Sequence, residues 1–479
     1  VFELHHLSAQ ELWDWIRRGD ATALEVTEHY LARIERLDPS LGAFVAVTAD
    51  TAREHAARLG TLLPTSRPLW GLPTADKDLY DRAGVPTRHG SAALPVTPAT
   101  ADHPLVAALA AAGTVSLGKT TSPEFGMSSS SETRIGTTRN PYDTTRAPGG
   151  SSSGTAVAVA AGLVPAAVGT DGGGSVRIPA AATGLVGLKP SRGRVPSMPG
   201  RSGLGGLSVA GPITRNVADA GMLLDALVAP TGLPEPSPYA LVTPDVGDGP
   251  FTAAAVRGEG RFVVGVLDGS PWDDTVDVVV DPAARAAVDT AVRVLGEVGH
   301  GVEDVAMPRL PYAEAFRVAW ESGAAGLPRV PGIDLSALTP LVSWLVERGR
   351  ALTATQVLDA MTTLDAFSAG LIRTFAPYDA VLTPTLALTP RPLGWYGDDP
   401  EEDFRRQCAY SPWTSMANVS GLPAITLPVG VTDDDHPDGA GLPMGVQLIG
   451  RPGGERVLLA IGAQLERRLR WQRRHPATW

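Results

Sequence analysis

The chain has 479 residues, 43% of them hydrophobic and 19% charged, which is the balance of a folded protein with a large core. Its net charge of −11 argues against a nucleic-acid partner, because phosphate binding needs clustered Lys and Arg. The one cysteine, Cys408, leaves no intrachain disulfide and no cysteine-rich metal site.

The N-terminal stretch VFELHHLSAQELWDW lacks a basic segment followed by an apolar core, so no secretory signal is read there. Ser8-x-x-Glu11 and Thr22-x-x-Glu25 are capping boxes that open helices. The second helix carries Leu24, Leu31, Ile34 and Leu37 on one face and is expected to end before Pro39. Phe44 to Val47 reads as a strand and Thr51 to Leu59 as a short helix. From Gly71 onward, short apolar strands between Gly/Pro turns alternate with Ala-rich helices, the pattern of an α/β layer around one buried sheet. Helices are expected at 105–112, 155–161, 218–227 and 282–298, and strands at 114–117, 165–169 and 262–267. Pro230 to Phe251 reads as a boundary loop. The region from about 280 to 376 is expected to be mostly helical. Strands return at 380–383, 424–428 and 445–449, before a last helix near 455–470. The longest apolar run, Ala156 to Gly169, is shorter than the ~20 residues of a spanning helix and contains Pro165. A cytoplasmic protein with no membrane partner is expected.

The chemistry concentrates between Ala147 and Arg194. Ser151 lies in PGGSSSG and Ser175 in GTDGGGSVR, 24 positions apart (151 to 175). Lys77 lies upstream in GLPTADKD. A hydroxyl among bare backbone amides is how a protein presents a nucleophile beside an oxyanion hole. A lysine near two such hydroxyls serves as a base where burial lowers its pKa from about 10.4. Leu72, Ala75 and Leu79 around Lys77 fit a buried strand end. A flexible linker would explain the Gly/Ser composition, but not its setting in a continuous apolar chain with Arg177 and Lys189 spaced around it. Rival strings fit poorly. Gly113 to Thr120 matches a phosphate loop, yet a strand falls inside it. Gly150-Ser-Ser152-Ser-Gly154 matches a nucleophile elbow, yet a loop precedes it and no suitable histidine follows. The histidines lack metal-ligand spacing, and His5 and His6 read as a surface pair. Cys408 reads as a buried, inert thiol.

The ordered series GLPTADKD, GKTTSPEFG, TRNPYD, PGGSSSG, GTDGGGSVRIPAA, GLVGLKPSRGRVP and GPITRNVAD resembles the amidase signature family. The match is close from Gly71 to Leu227 and resumes with FAPYDAVLTPT, NVSGLPAITLPVG and GLPMGVQLIG. The resemblance implies an α/β fold with a large mixed sheet flanked by helices on both faces. It implies one amidase domain over 1–479, with its signature core at 71–227 and a substrate-shaping region at 280–376. The activity implied is hydrolysis of a small linear or cyclic carboxylic amide to acid and amine through an acyl-enzyme, with no cofactor and no metal. Lys77 matches the family's base, Ser151 its bridging serine and Ser175 its nucleophile, with a cis bond between Gly150 and Ser151. The N–H groups of Gly172, Gly173, Gly174 and Ser175 match the oxyanion hole. Thr170 and Asp171 are supporting residues, and Asp171 pairs with Arg177 to brace the loop.

Ser153 and Gly172 depart from the family's usual residues without removing a catalytic side chain. Ser411, two before Trp413, stands where glutamine-dependent amidotransferase subunits carry an acid. That argues against an amidotransferase component, which remains the alternative together with an esterase or carbamate hydrolase. The segments TSPEFG, TTRNP and ERGRALTATQ look closer to stand-alone amidases, including hydrolases of cyclic nylon-oligomer amides and aryl acylamides. Pocket walls are expected from Phe125, Met127 and Ser128, from the helical region 310–350, and from the stretch near Trp413. Phe316, Trp320, Trp344 and Trp413 suggest an apolar or aromatic substrate group. A homodimer is left open.

Overall fold

The computed structural model describes residues 3–60, 67–195, 204–228, 241 and 249–479. The strands are β1 (Phe44–Val47), β2 (Pro73–Lys77), β3 (Val115–Thr120), β4 (Glu132–Thr133), β5 (Gly136–Thr137), β6 (Ala166–Asp171), β7 (Val186–Lys189), β8 (Val209–Thr214), β9 (Val263–Asp268), β10 (Gly301–Ala306), β11 (Ala380–Pro384), β12 (Ala424–Val431) and β13 (Pro443–Gly450). β4 and β5 form a small separate hairpin. The other eleven make one mixed sheet in the order β1-β3-β2-β6-β8-β7-β12-β13-β11-β9-β10. β3, β2 and β6 run parallel at one side, β11, β9 and β10 at the other, and antiparallel pairs join them. Successive strand residues point to opposite faces, and every residue of β2, β3, β7 and β13 is buried, so both faces of the sheet are covered. The α/β architecture with a mixed sheet agrees with the sequence reading.

The helix Pro282–Val298 and the strand β1 fall where the sequence puts them. Both capping boxes form: Ser8 Oγ accepts from Glu11 N at 3.1 Å, and Thr22 Oγ1 accepts from Glu25 N at 3.1 Å. The helix Ala23–Leu41 differs in two ways. It runs through Pro39, which sits in its last turn, where only one backbone bond is lost. Leu24 is 37% exposed. The buried stripe is centred on Val26, Tyr30 and Ile34, and Leu24 falls roughly 120° around the helix from that centre. The strand β10 is not legible in the sequence, because at the sheet edge its residues GVEDVA are charged and mostly exposed. Most of the expected boundary loop at 230–251 lies outside the described residues.

Candidate active site

β2 and β6 are neighbouring parallel strands, paired at Asp76 and Val168, so Lys77 and Thr170 emerge side by side at their carboxyl ends. The loop 147–152 arrives from the adjoining face and opens the helix Ser153–Ala160. Gly154 in that helix has no room for a side chain, since a Cβ there would lie 2.2 Å from the Ala43 carbonyl and 2.5 Å from Thr121 N. Ser175 occupies the turn between β6 and the helix Arg177–Ala182. The two serine loops are tied by Ser152 N–H donating to the Ser175 carbonyl at 3.1 Å. The peptide bond between Gly150 and Ser151 is cis.

Lys77 is completely buried. Its Nζ lies 2.8 Å from Ser151 Oγ, 3.0 Å from Ser152 Oγ and 2.7 Å from Thr170 Oγ1. Burial holds its pKa well below the usual lysine value, against the opposing pull of the Asp171 carboxylate. Ser152 Oγ gives its own hydrogen to the Thr170 carbonyl at 3.3 Å, so it accepts from Lys77. Ser175 Oγ faces a cleft and makes no hydrogen bond among the described residues.

The turn 171–175 is held by a buried network. Asp171 accepts from Gly174 N at 2.8 Å, Val176 N at 3.1 Å and Arg177 Nη2 at 2.8 Å. Burial alone would raise the Asp171 carboxyl, but Arg177 and its other donors bring it down to about 2. Arg177 also reaches the Thr414 carbonyl, Asn418 and Gln447. Because Gly174 N–H is given to Asp171, it is not available as an oxyanion donor, contrary to the expectation. The N–H groups of Gly172, Gly173 and Ser175 have no partner among the described residues, and Gly173 and Ser175 line the cleft. Thr414 Oγ1 donates to the Gly173 carbonyl at 2.6 Å. The Gly173–Gly174 peptide is therefore clamped at both ends. Gly174 has φ +133, and a Cβ there would lie 2.5 Å from Thr414 Oγ1, so only glycine fits.

The cleft is narrow, about 60 Å³, and carries no charged side chain on its lining. One wall is apolar: Ile178, Trp272, Phe316, Trp320 and Phe404. Phe316 and Trp320 stack 5.6 Å apart, within 3.7 Å of a Cβ built on Gly173. The other wall holds Gln407, Cys408, Ser411 and Ser415 from the helix Pro400–Tyr410 and the residues that follow it. Met127, Ser128, Trp320 and Ser411 lie on the lining, as the sequence suggested, and Ser411 Oγ donates to the Gln407 carbonyl at 3.3 Å. Phe125 and Trp413 do not. Phe125 packs beside the buried Leu338, Leu341 and Val342. Trp413 is buried in the core, where its indole N–H is satisfied by the Gly269 carbonyl at 3.0 Å. Trp344 packs against Phe404, outside the lining. Trp272, Phe404, Gln407 and Ser415 were missed.

The rival motifs resolve on geometry. Lys119 is inside β3, pairs with Asp78 at 3.0 Å and donates to the Tyr80 carbonyl and Thr87, so it reaches no phosphate cradle. Cys408 is buried, and burial pushes its thiol pKa up, away from thiolate character. His5 is buried rather than on the surface. Glu3, His5 and His29 come close enough to share an ion. However, Arg33 Nη1 lies 3.0 Å from His5 Nε2 and can only donate, so His5 Nδ1 carries the proton and has no lone pair for a metal. No helix among the described residues is long and apolar enough to cross a membrane.

A wide mixed sheet covered by helices, with a buried lysine and two serine loops brought together at the ends of neighbouring strands, defines the α/β class of this protein. The amidase family profile matches residues 25–459. The chain belongs to the amidase family and is an amide-hydrolysing enzyme of that family. It is 38% identical to the protein named AmiB2 of Mycobacterium tuberculosis, over 96% of this chain and 95% of that one. It is 34% identical to a glutamyl-tRNA(Gln) amidotransferase subunit of Roseiflexus sp., over 99% and 98%. Its fold matches 6-aminohexanoate cyclic dimer hydrolase complexed with substrate at a TM-score of 0.87, with 27% identity and 99% of both chains covered.

Proposed function

We propose that the chain is a single-domain amidase that hydrolyses a carboxylic amide with an apolar or aromatic group, through Ser175, Ser151 and Lys77. The observation that carries this reading is the buried Lys77 amine, set among three hydroxyls beside the cleft-facing Ser175. A neutral amine has two hydrogens and one lone pair. Ser152 and Thr170 take the hydrogens, and the lone pair is left for the Ser151 hydroxyl. Ser175 Oγ attacks the amide carbon and passes its proton to Ser151, whose own proton goes to Lys77. The oxyanion forms opposite the free N–H groups of Gly173 and Ser175, with Gly172 beside them. Ser151 returns a proton to the departing nitrogen, and water then cleaves the acyl-enzyme by the same relay. Ser175 and Ser151 share no hydrogen bond among the described residues, so the relay closes as the site tightens on substrate. An ester or carbamate would give the same acyl-enzyme.

The amidotransferase reading draws support from the 34% relative. It requires a carboxylate for the glutamine ammonium, and the cleft offers Ser411 instead. The test compares kcat/KM for glutamine with that for benzamide and an anilide. We expect the neutral amides to be preferred. Glutamine preferred by tenfold, about 1.4 kcal/mol, overturns the reading.

A further inference from the structure

A second hollow, of about 500 Å³, lies beside the cleft and shares Ser128 with it. Its lining is acidic. Asp403, Glu132, Asp398 and Glu124 face it, against the single cation Arg134. Glu124 is occupied by Ser91 and Thr339, and Glu132 Oε2 accepts from Gly394 N at 2.8 Å. Asp403 differs. It is 8% exposed, and its Oδ1 accepts from Gln407 Nε2 at 2.7 Å. Its Oδ2 has no hydrogen bond or ion pair among the described residues. Arg406, on the same helix, is held instead by Glu402 at 2.8 Å and by the Trp395 carbonyl. A carboxylate oxygen of an otherwise buried side chain thus opens on the hollow without a protein partner, where a donor can reach it.

We propose that this hollow binds a primary alkylammonium group, with Asp403 Oδ2 as its ion-pairing partner. A metal ion fits less well, because Asp403 is not in the one convergent ligand group among the described residues, Glu3, His5 and His29. The hollow also has far more room than a single ion needs, and an ammonium group supplies the compact donor that one free oxygen lacks. The groups that set the charge of Asp403 are Arg406 on its own helix, Glu132 on β4 and Tyr396, with Asp398 and Arg134 on the same wall. Burial and Glu132 push the Asp403 pKa up to about 7, against Gln407 and Arg406. Binding a cation then requires Asp403 to ionise, so affinity rises with pH. The ammonium comes either from an amino substituent on the substrate, reaching past Ser128, or from a free amine.

Calorimetry with n-butylammonium chloride, on the native chain and on Asp403→Asn, tests the site. The variant mimics the protonated acid and so keeps the shape of the wall. We expect binding about tenfold tighter at pH 8 than at pH 6, with proton release at pH 6, and loss of binding in the variant. The second arm rests on the amidase reading above and compares kcat/KM for 8-aminooctanamide and octanamide. A preference for the amino compound that disappears in Asp403→Asn assigns the ammonium to the substrate. Calorimetric binding without that preference assigns it to a free amine. Absence of both, or binding that survives Asp403→Asn, overturns the proposal. If neither amide is cleaved, the amidase reading fails, while calorimetry still decides the site.

Discussion

Lys77 has no carboxylate to itself. Asp171 is taken up by Arg177 and by backbone N–H groups, so its pull offsets the burial of the amine only in part, and the neutral form is favoured. The rate is therefore expected to fall as pH drops through the depressed pKa of Lys77, because protonation removes the lone pair that Ser151 needs. Lys77→Ala should lose several orders of magnitude in kcat and abolish that acidic limb, read from a pH–rate profile. Full activity in the variant contradicts the relay. Lys77, Ser151 and Ser175 were legible in the sequence because glycine-rich turns and a polar residue at a buried strand end are local signals. The cleft wall was legible only in part, through Met127, Ser128, Phe316, Trp320 and Ser411. Nothing in the sequence separates Trp320, which faces the cleft, from Trp413, which is in the core, since both are large aromatics in apolar surroundings. Gln407 and Ser415 carry no motif at all.

The turn after β6 owes its shape to distant elements. Thr414, Asn418 and Gln447 are more than 230 positions from Asp171 and arrive through the sheet order, which pairs β12 and β13 beside β7. No local pattern announces such contacts, whereas Asp171 and Arg177, six positions apart, could be paired by inspection. Thr414→Val should release the Gly173 carbonyl and reduce kcat about fivefold, since one hydrogen bond contributes about 1 kcal/mol. KM should change little, and Thr414→Ser should restore the rate. Loss of KM alone would mean that Thr414 binds substrate and does not shape the turn. Arg177→Met leaves Asp171 buried and unpaired, a change that costs about 3–5 kcal/mol. A melting temperature equal to that of the native chain would show that the pair does not brace the loop.

Across the whole molecule, buried ionisable groups set opposing slopes of stability with pH. Glu466 accepts from Val217 N at 3.2 Å, and burial, with the nearby Asp219, pushes it up to about 8. Its contribution is fully present below about 4.5 and is lost as pH rises through 8, because the unfolded chain gives up that proton first. Lys189 acts in the other sense. Burial and Arg177 lower it to about 7, so stability rises with pH between 7 and about 10.5. Melting temperatures between pH 5 and 7 isolate the acid. The native chain should lose stability relative to Glu466→Gln across that window, and parallel curves would rule the assignment out. The central claim, that Ser175 carries the acyl group, is tested most directly by trapping. The chain is reacted with a phosphonate probe and the labelled peptide is located by mass spectrometry. The account predicts one adduct, on Ser175, absent in Ser175→Ala and slowed in Lys77→Ala. An adduct on Ser151, Ser152 or Cys408, or labelling that persists in Ser175→Ala, would contradict it.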